Sequence, residues 1–223
     1  MWCILSALIY YLVTTKHKIY KFGHLCAFML EDLTFLEEGE YTKRDDVVRD
    51  IARDIGRQPG SVLDNIGMYV ANIRYKKSDE NFDKNKVFRK RTASEVLDSK
   101  YVTGCTDVAL AFIVLAREAG IPTRFIETFD KNWLKNLDPH NISGHIFVDV
   151  LVEDKWRVYE PKTGFTKNNE YLFGDKEYVE VGKGLDFSEI YLKENGIYRK
   201  ESMAIKSSED MRIIGKKMKS ELN

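Results

Sequence analysis

The stretch "TGCTDVALAFIVLAREAGIPTRF", residues 103–125, limits the fold of this chain more than any other. From Cys105 to Ala119 it reads as an apolar helix, which has to sit centrally with other elements packed over it. Gly120 and Pro122 end that helix, and "TRFIETF" (123–129) begins a β-prone run. The same stretch sets a lone cysteine behind a glycine, at the positive end of the helix. Packing is the plainer explanation, since free cysteine is among the most buried residue types. The other explanation is that Cys105 is a nucleophile, and the rest of the chain has to decide between them.

Upstream of the cysteine the pattern is helical. "HLCAFMLEDLTFLEEG" (24–39) has Leu25, Phe28, Met29, Leu33 and Leu36 at helical spacing. A charged helix is expected within 43–60, with Val47, Val48, Ile51 and Ile55 on one stripe. A third is expected over 61–75, with Ser61 as its N-cap and Val62, Ile66, Tyr69, Val70 and Ile73 turned inward. "KKSDENFDKNKVFRKR" (76–91) reads as a long polar loop, its basic run solvated. Thr92 and Glu95 then have the spacing of a capping box.

Downstream the pattern becomes β. "HIFVDVLV" (145–152) puts His145, Phe147 and Asp149 on one strand face and Ile146, Val148 and Val150 on the other. "EDK" (153–155) is turn-like and "WRVYE" (156–160) returns as the second strand of a hairpin. "YVEVG" (178–182) offers a further strand, and 206–223 reads as a solvated terminal helix. Helices followed by strands, with one central helix, mean α+β.

Several function classes drop out. Lys+Arg and Asp+Glu each number 35, a formal net charge of zero, which gives no support to nonspecific nucleic-acid binding. Cys3, Cys26 and Cys105 are too few and too widely spaced for a disulfide framework, and no CxxC is present. The four histidines do not form a metal-spaced pair, so neither metal nor cofactor is expected. "MWCILSALIYYLV" (1–13) is apolar and closed by the basic "KHKIYK" (16–21). As a helix it would reach only ~20 Å, short of the roughly 30 Å hydrocarbon layer. It lacks the leading positive charge and trailing small residues of a signal peptide. A cytoplasmic protein is expected, with residues 1–21 as a buried or interfacial helix that could associate with a membrane.

A cysteine nucleophile attacks as the thiolate, so it needs a helix N-terminus, an imidazole to hold the proton and a polar group to fix that imidazole. The chain offers a candidate for each role. Gly104 would permit a close approach, and the backbone N–H of Cys105 is placed to serve an oxyanion. His145 opens a strand behind the small residues Ser143 and Gly144. Glu160 closes the next strand, within reach across a hairpin.

"GCTDVALAFIVLAREAGIPTRF" followed by "GHIFVDVLVEDKWRVYEPKTGF" resembles the transglutaminase-like superfamily over roughly residues 45–165. The carriers are a glycine–cysteine helix, "GIPTR", a histidine strand, and a strand ending in an acidic–proline pair. The resemblance implies a papain-like α+β domain, with N-terminal helices and a central nucleophile helix packed on an antiparallel sheet. It implies a Cys–His–acid triad of Cys105, His145 and Glu160. The third position is usually aspartate, so Glu160 carries one extra methylene, about 1.5 Å of displacement. Asp149 is an outside candidate for the acid. No second oxyanion donor stands out: Gln58, the only glutamine, is far upstream, leaving Tyr101 and Tyr75. Trp133, in the 130–143 loop, either lines a substrate groove or packs under the loop.

The expected organisation is an N-terminal helical extension (1–42), the transglutaminase-like domain (43–200) and a C-terminal helical tail (201–223). The expected function is acyl transfer from an amide or peptide bond through a thioester, ending in hydrolysis of a peptide or protein substrate. Two alternatives remain: an inactive domain that binds peptides in the same groove, and a protein cross-linking transglutaminase.

Overall fold

A computed structural model describes residues 32–222 of the chain. The apolar segment 1–21, Cys3, Cys26 and the first half of the helix expected over 24–39 lie outside them; the described half is helical only as far as Leu36. The helices begin at side-chain caps. Helix α1 (Asp46–Gly56) starts where Asp45 accepts from the Val48 N–H at 3.1 Å, and α2 (Val62–Ala71) where Ser61 accepts from Asp64. Helix α3 (Ala93–Ser99) has both halves of the box, Glu95 N–H to Thr92 Oγ1 at 3.2 Å and Thr92 N–H to Glu95 Oε2 at 2.8 Å. Two parallel two-residue strands, β1 (Arg74–Tyr75) and β2 (Tyr101–Val102), tie the segments after α2 and α3 together.

Helix α4 (Cys105–Glu118) is the centre of the described core, with every residue from Thr106 to Arg117 buried. Its one interior cation, Arg117, is tied down by Thr123 O at 2.6 Å, Leu185 O at 2.9 Å and Thr42 Oγ1 at 2.9 Å. Burial lowers the Arg117 pKa to about 9.

The chain then enters an antiparallel sheet. In chain order its strands are β3 (Thr123–Asp130), β4 (Gly144–Val152), β5 (Lys155–Glu160), β6 (Gly164–Phe165), β7 (Leu172–Phe173), β8 (Lys176–Gly184), β9 (Ile190–Glu194) and β10 (Ile197–Met203). Their spatial order is β10-β9-β8-β3-β4-β5-β6, with β7 folded back on β8. Phe125, Phe129, Ile146, Val148, Val150 and Tyr159 share one face and join α1–α4 in the main core. Gly67 lets α2 come close to β5: a Cβ there would lie 2.4 Å from the Tyr159 hydroxyl. The opposite face carries a smaller cluster of Ile126, Phe147 and Val158, with Tyr171 and Tyr178 against it.

The structure departs from the sequence reading in five places. The helix expected over 61–75 ends at Ala71, because Arg74 and Tyr75 leave it to pair with Tyr101 and Val102 as a strand. Strands β9 and β10 lie past "YVEVG"; β10 is an edge strand exposed along most of its length, so it has no apolar alternation to read. The 130–143 loop contains helix α5 (Lys131–Asn136), capped by Asp130, and Trp133 is buried against Phe129. The basic run is not solvated throughout, because Arg89 and Arg91 are buried and ion-paired. The terminal helix α6 (Ser208–Leu222) buries Met211, Ile214 and Met218, and Gly215 sits so close to Trp133 that a Cβ would meet its ring at 2.6 Å.

Candidate active site

Helix α4 begins at Cys105, so the thiol sits in its first turn, half-buried, where backbone N–H groups have no intrahelical acceptor. Asp107 fixes that turn. Its Oδ2 accepts from the N–H and the hydroxyl of Thr103, each at 2.8 Å, and from Arg91 at 3.1 Å. Arg91 is held in turn by Tyr101 O, Glu95 O and Ser99 Oγ. Gly104 is extended (φ −171°), and a Cβ there would meet nothing within 4 Å. The chain's own geometry therefore does not require that glycine.

His145 is the second residue of β4, opposite Thr128, whose hydroxyl donates to the His145 carbonyl at 2.8 Å. Strand β5 pairs Tyr159 with Val148, which sets Glu160 opposite Phe147 and diagonal to His145 on the same face. β5 ends at Glu160, and the His145 side chain also hydrogen-bonds Cys105 at the start of α4. Glu160 Oε1 lies 3.2 Å from His145 Nε2. Its other oxygen accepts from the Lys162 N–H (2.9 Å), the Thr163 N–H (2.8 Å) and the Thr163 hydroxyl (3.0 Å), so the turn after β5 clamps the carboxylate. With Nε2 engaged by Glu160, Nδ1 is the ring nitrogen left for the thiol.

The electrostatics follow from these contacts. Burial disfavours a charged His145 ring, but hydrogen bonding and charge interaction with Cys105 and Glu160 outweigh it and raise the pKa to about 9. Burial also works against an ionised Glu160, yet His145 and the Lys162–Thr163 turn hold its pKa below the usual carboxylate value. Aromatic rings enclose the imidazole: Phe173 stacks on it (4.4 Å, 6°), and Phe147 and Tyr178 lie at 4.9 and 5.6 Å.

The structure thus brings Cys105, His145 and Glu160 together. Asp149 is excluded from the group, four residues along β4 and so roughly 13 Å away. It faces Arg124 instead, and burial raises its pKa to about 6. Gln58 lines a different depression, beside Asn65 and Tyr69. Tyr101 is occupied by Arg91 and Phe82, and Tyr75 sits beside Lys162. Trp133 takes the packing role under its loop, with Nε1 donating to Asp138 O. Sequence reasoning missed Asp107, whose only signal was a carboxylate in the first turn of an apolar helix. It also missed Phe173, for which no local signal existed. Among the described residues, no group of three or more His, Cys, Asp or Glu side chains is arranged to hold a metal, and no helix is long and apolar enough to cross a membrane.

The family model of the transglutaminase-like superfamily matches residues 49–161, which takes in all three residues of the group. No curated protein matches the chain. Among solved structures, one described as a "Putative Cysteine Protease from Cytophaga hutchinsonii" is similar at 17% identity and a TM-score of 0.50, over 70% of this chain and 47% of that one. Another, described as a "TGase", aligns at 15% identity and a TM-score of 0.36, over 58% of this chain and 34% of that one. This chain spans about half the length of the first of these. The match over residues 49–161 covers half of the sequence, and the chain belongs to the transglutaminase-like superfamily.

Proposed function

We propose that this protein cleaves an amide or peptide bond by cysteine-dependent acyl transfer and passes the acyl group to water. The observation that carries the proposal is that one imidazole interacts with both the Cys105 side chain and a carboxylate clamped by its own turn. His145 takes the thiol proton, and the Cys105 sulfur attacks the carbonyl carbon. The resulting oxyanion is placed to accept from the Cys105 N–H at the start of α4. His145 then gives its proton to the departing amine, leaving a thioester on Cys105. Water, deprotonated by His145, attacks the thioester and releases a carboxylic acid and the free thiol. Glu160 orients the ring and stabilises the imidazolium without itself being protonated. Cysteine-protease chemistry is also what the similarly folded Cytophaga protein is named for.

Mass spectrometry after incubation with a peptide library tests the reading. A population of Cys105 carrying an acyl mass, absent from His145→Ala, is expected. Free peptide acids should accumulate beside it. Amine-linked products in place of acids would favour cross-linking, and bound peptides without any adduct would favour a binding module.

A further inference from the structure

A cavity of about 320 Å³ adjoins Cys105 on the α4 side of the sheet. Phe88, Ile142, Ile146 and Met211 form its apolar side, beside the uncharged polar residues Asn85, Thr106 and Ser208. Its charged members are Arg89 and Glu127, buried and bonded to each other at 2.7 and 2.8 Å, with Arg89 also donating to Ile205 O at 2.6 Å. The two groups already pair with each other, and the pair carries no net charge. Arg89 Nε is buried without an acceptor among the described residues. Arg89 also holds φ +52°, a left-handed conformation uncommon for a side-chain-bearing residue. The surrounding contacts keep it there, as happens at ligand clamps.

From this we infer that the cavity receives the side chain of the residue whose carbonyl Cys105 attacks, and that this side chain is aliphatic and uncharged. The inference rests on the nucleophile reading above and adds the substrate class to it. The size is at the low end for ligand pockets, enough for one side chain with its flanking backbone. An aspartate or lysine side chain would lose its water here and find its only candidate counter-charges already neutralised by one another. Met211 brings the C-terminal helix into the site: α6, outside the stretch that matches the family model, supplies one wall.

The test uses peptidyl chloromethyl ketones that differ only in the residue next to the ketone, with alkylation of Cys105 followed by mass spectrometry. Leucine and methionine reagents are expected to react at least tenfold faster than aspartate and lysine reagents. Met211→Trp, which fills the cavity, is expected to move the preference to alanine, and Met211→Leu to retain it. Iodoacetamide, which carries no side chain, separates the two claims. If it labels Cys105 while the peptidyl reagents show no order, the pocket assignment is overturned and the nucleophile stands. If no reagent labels Cys105, the nucleophile reading falls, and the pocket is judged on ¹³C-methionine spectra of Cys105→Ala. There, N-acetyl-leucinamide should shift the Met211 methyl and N-acetyl-aspartamide should not; equal shifts, or none, overturn the assignment.

Discussion

Shortening Glu160 to aspartate, the residue more usual at this position in the family the sequence resembles, is expected to damage this member. The Glu160 carboxylate spans two attachments: Oε1 meets His145 Nε2 at 3.2 Å, and Oε2 accepts three donors from Lys162 and Thr163 at 2.8–3.0 Å. Removing one methylene withdraws the group by ~1.5 Å. If the turn keeps its three bonds, the contact to His145 stretches to as much as roughly 4.7 Å, well outside hydrogen-bond range. If the imidazole keeps its contact, the turn loses its clamp. Misplacement of about 1 Å at a catalytic group costs on the order of 10²-fold in rate, or ~2.7 kcal/mol of transition-state stabilisation. The assay is kcat/KM for hydrolysis of an acyl amide by wild type and Glu160→Asp, with urea midpoints measured in parallel to separate rate from folding. A fall of about 10²-fold with a small change in midpoint is expected. Equal or greater activity in Glu160→Asp would refute the reasoning from side-chain length.

Three further outcomes follow from packing and charge. Gly67→Ala should destabilise the fold by about 1–3 kcal/mol through overpacking against the Tyr159 hydroxyl; chemical denaturation should show most of that loss recovered when Tyr159→Phe is added, and no recovery would contradict the close approach. His145 has a folded pKa of about 9, raised above the ordinary 6.5, so the stability it contributes is fully present below pH ~6.5 and is lost as pH rises toward 9. Melting temperatures should fall across that window, and less steeply in Glu160→Gln; parallel curves would contradict the coupling. Phe173→Ala removes the ring stacked on His145, and since Phe173 is already partly exposed it should lower kcat/KM by about tenfold with under ~1.5 kcal/mol lost in urea unfolding.

Local rules reached as far as each element's own residues. The caps at Ser61 and Thr92, the apolar α4 and the β4–β5 hairpin were all readable, because cap chemistry and periodicity act over a few residues. The hairpin brought Glu160 within reach of His145, and the glycine–cysteine helix start marked Cys105. What stayed hidden depended on distant partners. Arg89 and Arg91 look solvated in "KNKVFRKR" until Glu127 on β3 and Asp107 on α4 are brought to them. Phe173 is one aromatic among many until β7 folds over His145. Trp133 declares itself buried only once Gly215 of α6 lies against it.

The most direct measurement is the rate of Cys105 alkylation by iodoacetamide at mildly acidic pH, in wild type and in His145→Ala. An imidazole that keeps the thiol ionised predicts rapid labelling near pH 6 that disappears with the ring. Labelling that begins only above about pH 8 in both proteins, as for an ordinary thiol, would contradict the account.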